Sequence, residues 1–588
     1  MFTFSYKKNN NVHLFKTLEE NGFNIPQNYI PLYKKFFSVD ENNYNNINLN
    51  HKLKIFNLKS TDERNTFICS LTDGNSKLKA KSFFKFSPLI DPAKYMVGKY
   101  KDSSDEKMFS LPKFSNNICQ SRLLEPNNAA YIDSFFSYLS SMLHNYHKIP
   151  HCLDFYGSFL CIKENFKINI ADDLDFLYDS TYYHKNKNKL FDVDEIDEDL
   201  YCSDSTRNYR KKISFLDEKT DLETDKLNEE IFDGVFKKSN LTAENIRIHN
   251  NLSEKDLIFQ SSNDNNSSKA ETNSECSSRS SNTSDESSNY SVDAEDSEKS
   301  LETEETDEYE EISQSIDSDI DLNATFKKFP VQIICLEKLD NTLDHLMDSD
   351  EELSNDMWRS CLFQIIMNLV IYQKMFDFTH NDLHTNNVMY KKTDKQFIIY
   401  KLNGVHYKVP TFGRLFKIID FGRAIYKFRD TIICSDSYSA KGDAASQYNC
   451  EPFFNKNKPR LEPNKSFDLC RLACSLFDFF VDDIDELGDI KCPITHIVNE
   501  WVTDDNGRNI LYKKNGEERY PEFKLYKMIA RTVHKHIPEE QVKNSIFNKF
   551  KTSTKKMNKS AKSKIINIDK LPSYINIPQE TTEKKALS

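Results

Sequence analysis

Alternation of apolar and polar positions predicts β-structure from about residue 51 to 87. Positions 51–58 alternate, Ser60 to Arg64 form a polar break, and 65–71 alternate again. Asp73-Gly74 supplies hairpin-turn chemistry before a third strand over 81–86, which carries Lys85. The period then lengthens. Tyr131, Phe135, Tyr138, Leu139 and Met142 recur at three- and four-residue spacing behind Pro126 and predict a helix over 127–147. Strand character resumes over 150–162. It returns in Pro330-Val331-Gln332-Ile333-Ile334-Cys335-Leu336-Glu337, which reads as a buried strand. Helices follow at 354–378, 466–480, about 494–501 and 522–536, the first with Trp358, Cys361, Leu362, Ile365, Ile366 and Leu369 on one side. Antiparallel strands followed by helices predict an α+β fold.

Between 164 and 327 the pattern fades. Blocks such as 277–288 and 302–311 hold Ser, Asn, Asp and Glu with few apolar residues, too little to offset chain entropy. We expect a largely disordered acidic insertion between two strands of one lobe, with aromatics enough in 164–240 for pieces to fold. Loops tolerate such length because closure entropy grows only by about 0.6 kcal/mol per doubling. The expected order is an N-terminal extension (1–50), the first part of a small lobe (51–163), the insertion (164–327), and the lobe's end with a hinge (328–348). A helical lobe (349–540) and a Lys-rich tail (541–588) complete it.

Composition changes little else. The 588 residues carry a net charge of −12 and a mean hydropathy of −0.67. That charge averages an acidic middle and a basic end, and only the Lys-rich tail suggests electrostatic contact with nucleic acid. The 13 cysteines show no Cys-x-x-Cys pair, so reduced thiols in a cytoplasmic setting are expected. No signal peptide is expected at the start. The apolar run 361–376 is broken by Gln364, Asn368, Gln373 and Lys374, which predicts a buried helix and no membrane span.

Chemistry concentrates in His380-Asn381-Asp382-Leu383-His384-Thr385-Asn386-Asn387 and, 33 residues beyond Asn387, in Asp420-Phe421-Gly422. Phosphoryl transfer to a hydroxyl needs a carboxylate beside the acceptor and oxygen ligands for the magnesium that neutralises phosphate charge. Asp382 suits the first role, Asn387 and Asp420 the second. Gly422 is expected to turn with positive φ. Lys85 is the candidate phosphate contact, and its acidic partner is either Asp133 or Glu125.

These segments resemble the protein kinase superfamily, and more closely the putative serine/threonine kinases of large nucleocytoplasmic DNA viruses. The resemblance rests on Phe84-Lys85-Phe86-Ser87-Pro88, the two motifs above, Ser466-Phe467-Asp468-Leu469, and Asn515-Gly516-Glu517-Glu518-Arg519-Tyr520-Pro521. It implies a two-lobed kinase fold, ATP with Mg²⁺, phosphorylation of protein Ser/Thr, and placement in a host cytoplasm or virion. It also implies nucleotide contacts at Lys85, Leu336, Glu337, Asn387 and Asp420, with Asp468 supporting the catalytic loop. Several features depart from the family. No Gly-x-Gly-x-x-Gly precedes Lys85, where the turn is Ser60 to Arg64. Asn381 stands for Arg, His384 for Lys, and the longer spacing to Asp420 contains Asn403-Gly404, which suggests an added hairpin. A pseudokinase scaffold and a kinase for a small-molecule hydroxyl are the alternative readings.

Overall fold

A computed structural model describes residues 2–8, 10–115, 118–194, 322–349, 351–481, 492–521, 523–553 and 564–577. It is a mixed α+β structure with antiparallel sheets. The main sheet comprises β1 (Phe23–Gln27), β2 (Lys54–Ser60), β3 (Thr66–Thr72), β4 (Lys77–Pro88), β5 (Phe155–Asn169), β6 (Phe191–Val193) and β7 (Asn323–Glu337). Its order is β1-β5-β7-β4-β3-β2, with β6 paired to β7. The β3–β4 turn forms at Asp73-Gly74: Asp73 accepts the Asn75 and Ser76 N–H groups at 2.9 and 2.7 Å, and Gly74 takes φ 98°. β4 starts at Lys77, earlier than predicted, because Lys77, Lys79 and Lys81 all occupy one solvated face.

Three expectations change here. The insertion was expected to begin at 164, yet β5 runs to Asn169 and is followed by two short helices, Leu174–Tyr178 and Thr181–Asn186, and by β6. Aromatic packing accounts for this order: Phe166 stacks on Phe329 at 5.2 Å and Tyr183 on Phe191 at 5.6 Å. Residues 195–321, which hold the rest of the expected disorder, lie outside the described residues. The N-terminal extension belongs to the fold, since β1 extends the main sheet and Tyr6–Lys8 pairs with Ile47–Leu49. The Lys-rich tail is partly structured, as shown below.

Helix α1 (Ala129–His147) begins where the Asn128 side chain accepts the Ala130 N–H. Helix α2 (Asn355–Phe376) is capped by Ser354, which accepts from Met357, and ends at Asp377 with φ 50°. The two helices meet through Phe136 of α1, whose ring lies 5.0 Å from Tyr372 and 5.6 Å from Phe376. Beyond α2 come β8 (Val388–Lys392), β9 (Phe397–Leu402), β10 (Val405–Pro410) and β11 (Arg414–Ile418). β9 and β10 form the anticipated hairpin, turned by Asn403 and Gly404 at φ 50° and 77°. It lengthens the path between Asn387 and Asp420 without moving them apart, because β8 pairs directly with β11.

A second hairpin, β12 (Ile425–Phe428) and β13 (Thr431–Cys434), precedes α3 (Phe467–Phe480), α4 (Pro493–Trp501) and α5 (Phe523–Thr532). Tail strands β14 (Lys551–Thr552) and β15 (Ile566–Asn567) flank β10 and β9. Tyr574 is 2% exposed, stacks on Phe2 at 4.4 Å, and receives the Phe2 N–H at 2.9 Å. No described helix is long and apolar enough to cross a membrane.

Candidate active site

Strand β4 presents Lys85 to helix α1. Its Nζ lies 2.6 Å from Asp133 Oδ2 and 2.8 Å from Asp420 Oδ1. This geometry selects between the two candidate partners: Asp133 takes the lysine, while Glu125 accepts the Asn127 N–H at 3.0 Å. Asp133 also accepts the Phe421 N–H at 3.0 Å. Burial pushes the Asp133 carboxyl upward, against the pull of Lys85. Phe421 packs on Phe136 at 4.6 Å, so α1 holds both the backbone and the ring of this residue.

The loop after α2 is fastened from below. Asp468, in the first turn of α3, accepts the N–H of His380 at 2.9 Å and of Asn381 at 2.9 Å. His380 Nε2 meets the Ile419 carbonyl at 2.8 Å, which makes it the protonated nitrogen, and Nδ1 accepts the Asp382 N–H at 3.2 Å. Asn387 Nδ2 donates to the Asp382 carbonyl at 2.9 Å and lies 3.0 Å from His384 Nε2. Its own carbonyl accepts the Ile419 N–H at 3.0 Å, one residue before Asp420. The positive φ falls on Asp420 at 63° and not on Gly422, which corrects the expectation. Aspartate tolerates the left-handed region better than most residues do, so glycine is not required for this turn.

Asp382 is surrounded by cations. Tyr526 Oη donates to its Oδ1 at 2.8 Å, and Arg423 Nε lies 4.0 Å from Oδ2. Burial alone would raise this carboxyl, but Arg423, His384, Arg471 and the Tyr526 hydroxyl outweigh it and hold it well below the usual range.

The two residues expected at the hinge behave differently from each other. Leu336 sits in β7 between Phe83 of β4 and Phe155 of β5. The Glu337 side chain is 6% exposed and committed to Lys391 at 2.5 Å and to Lys417. Its carboxylate is therefore an internal clasp. Beside the glycine-free turn, a cavity of about 330 Å³ is lined by Asp62, Arg64, Asn65, Phe86, Lys163, Asn165 and Lys167. None of the candidate residues lines it, and Phe86 alternates to the face of β4 opposite Lys85.

Sequence reasoning missed the groups that secure the segment after Gly422. Asn381 Oδ1 accepts the Tyr448 hydroxyl at 2.8 Å. Arg423 pairs with Asp443 at 2.5 Å. Asp436 accepts from Arg122 Nε at 2.8 Å and from the Ala129 N–H, in the first turn of α1, at 3.0 Å. Arg423 adjoins a recognised motif and was findable; Asp436, Asp443, Arg471 and Tyr526 carry no local signal.

The donor set suits a hard divalent cation. Asp420 and the Asn387 amide offer oxygen, and the amide's nitrogen is already engaged with the Asp382 carbonyl, which leaves its Oδ1 as the atom able to meet a cation. Two carboxylates on one lysine also leave local negative charge for a cation to balance.

No family model matches the chain. Over 107 residues it is 35% identical to a probable serine/threonine-protein kinase of Dictyostelium discoideum, covering 17% of this chain and 8% of that protein. It is 36% identical over 85 residues to the serine/threonine-protein kinase haspin of Mus musculus, covering 14% and 11%. With haspin of Bos taurus the identity is 40% over 63 residues, covering 11% and 8%. The chain thus spans about a tenth of the length of the curated relatives it matches. These short likenesses support a relationship to serine/threonine protein kinases. The likeness to viral kinases remains one of motifs.

Proposed function

We propose that this protein is a serine/threonine protein kinase with a two-lobed fold, the main sheet and α1 forming the small lobe. The observation that carries this reading is convergence. Lys85 meets Asp133 and Asp420, while Asp382 and Asn387 share a loop joined to Asp420 through β8 and β11. In this reading Lys85 contacts the phosphates of ATP, and the backbone of Leu336 and Glu337 borders the nucleotide. Asn387 and Asp420 hold magnesium. The ion supplies charge neutralisation on the phosphates.

Asp382 orients the acceptor hydroxyl. The acceptor oxygen bonds to the γ-phosphorus, the bond from that phosphorus to ADP breaks with its electron pair leaving on ADP, and the acceptor's proton passes to Asp382. The strongly lowered affinity of this carboxylate for protons fits a late proton transfer, when the phosphoryl group is already largely detached.

The test is ATP turnover and protein phosphorylation by the wild type and Asp382→Asn side by side, with acceptors identified by mass spectrometry. The variant is expected to lose about 100-fold or more in rate. Equal rates, or magnesium-dependent nucleotide binding with no transfer by the wild type, would refute the assignment.

A further inference from the structure

We propose that Tyr526 is a positioning residue for Asp382, a role that rests on the kinase reading above. Tyr526 lies in α5, far along the chain from the catalytic loop, and is 1% exposed. Arg471 Nε donates to its hydroxyl at 2.9 Å, and that hydroxyl lies 2.8 Å from Asp382 Oδ1. The direction of this relay is set by chemistry. A guanidinium only donates, so the phenol must accept from Arg471, and its single proton is directed at Asp382.

The ring is fixed as firmly as the hydroxyl. Arg471 lies 5.2 Å and Arg423 5.7 Å from the ring centroid, and both guanidinium residues are buried. Asp382 Oδ1 is therefore engaged from inside the protein. Oδ2 stands 4.0 Å from Arg423 Nε, beyond hydrogen-bond length, and is the oxygen that meets the acceptor hydroxyl.

The arrangement is a balance. Arg423 attracts the carboxylate, and closing that 4.0 Å gap would swing Oδ2 away from the acceptor. The Tyr526 hydroxyl holds the carboxylate against that rotation. During transfer the acceptor oxygen bonds to phosphorus, ADP departs with the electron pair, and the acceptor proton moves to the Oδ2 that Tyr526 keeps in place.

The experiment uses the full chain and four proteins: wild type, Tyr526→Phe, Asp382→Asn and the double variant. Phenylalanine keeps the ring between the two arginines and removes only the hydroxyl. For Tyr526→Phe we expect kcat for protein phosphorylation to fall about 10- to 100-fold, the scale of a misplaced reacting group. KM for ATP and the affinity for ATP with magnesium should be unchanged, and the melting midpoint should fall by no more than a few degrees, because Arg471 Nε loses its acceptor. In the Asp382→Asn background, Tyr526→Phe should cost nothing further, because its effect passes through the carboxylate.

Wild-type kcat in Tyr526→Phe, or costs that multiply fully in the double variant, would overturn the inference and leave the kinase reading intact. A rise in KM for ATP with kcat unchanged would also overturn it. Equal transfer by wild type and Asp382→Asn would remove the kinase reading, and this inference with it.

Discussion

Replacing Glu337 by glutamine tests how the end of β7 is held. Its Oε1 accepts the Asp154 N–H at 3.0 Å and pairs with Lys417, whose side chain is 2% exposed; Oε2 takes Lys391 at 2.5 Å. Burial would raise this carboxyl, but Lys417 and Lys391 more than offset it and bring it from 4.5 to about 2. At about 1.4 kcal/mol per pH unit, that depression corresponds to roughly 3 kcal/mol of stability. The sign follows from the direction. A depressed carboxyl stabilises above its unfolded value of 4.5, and the contribution drains away as pH falls towards 2. Glutamine keeps one neutral acceptor, so the buried Lys417 ammonium loses its counter-charge and is left with uncharged acceptors such as the Cys152 carbonyl at 2.9 Å. Breaking a buried pair this way costs about 3–5 kcal/mol, in line with the linkage figure. Urea denaturation across the acid range is the assay. The variant should lose about 3 kcal/mol near neutrality and most of the acid-dependent slope, and well below its midpoint its ATP affinity should stay within about twofold. A loss under about 1 kcal/mol, or a wild-type slope, would refute the reasoning.

Other consequences are equally direct. Asp436→Asn removes the charge that Arg122 and the first turn of α1 share, costing about 1–3 kcal/mol. Hydrogen exchange over 129–133 should rise and transfer should fall, and no change in either would contradict the clamp. Because Asn381 binds the Tyr448 hydroxyl where most kinases carry an arginine, phosphatase treatment should leave activity intact; its abolition would count against this. Lys85→Met should weaken ATP binding and leave Asp133 and Asp420 in mutual repulsion, read as lost transfer and a shifted nucleotide affinity. Ser354→Ala removes the α2 cap and should lower stability by about 1 kcal/mol in the same urea assay, with no effect on KM for ATP.

Much of the site was legible because its parts are local. The loop from His380 to Asn387, Asp420-Phe421-Gly422 and the Asn403-Gly404 turn are short runs whose chemistry depends on neighbours in sequence. The aromatics of 164–194 hinted at folded pieces, but which pieces form was not legible, because Phe166 and Phe191 pack on Phe329 and Phe326 of β7, far along the chain, and Tyr183 packs on Phe191. The positive φ at Asp420 was missed because glycine is the residue ordinarily expected to take it in such a turn.

From the chain alone came β2, β3, β4, β5 and β7, the helices α1 to α5, the α+β class, and the choice of Lys85, Asp382, Asn387 and Asp420 as candidates. Periodicity and short motifs encode these, since they depend on contacts within a few residues. Tertiary structure alone chose Asp133 over Glu125, turned Glu337 inward to two lysines, and brought Tyr526, Arg471 and Asp436 to the site. Those decisions join groups up to 314 positions apart, where packing sets the distance and no local pattern records it.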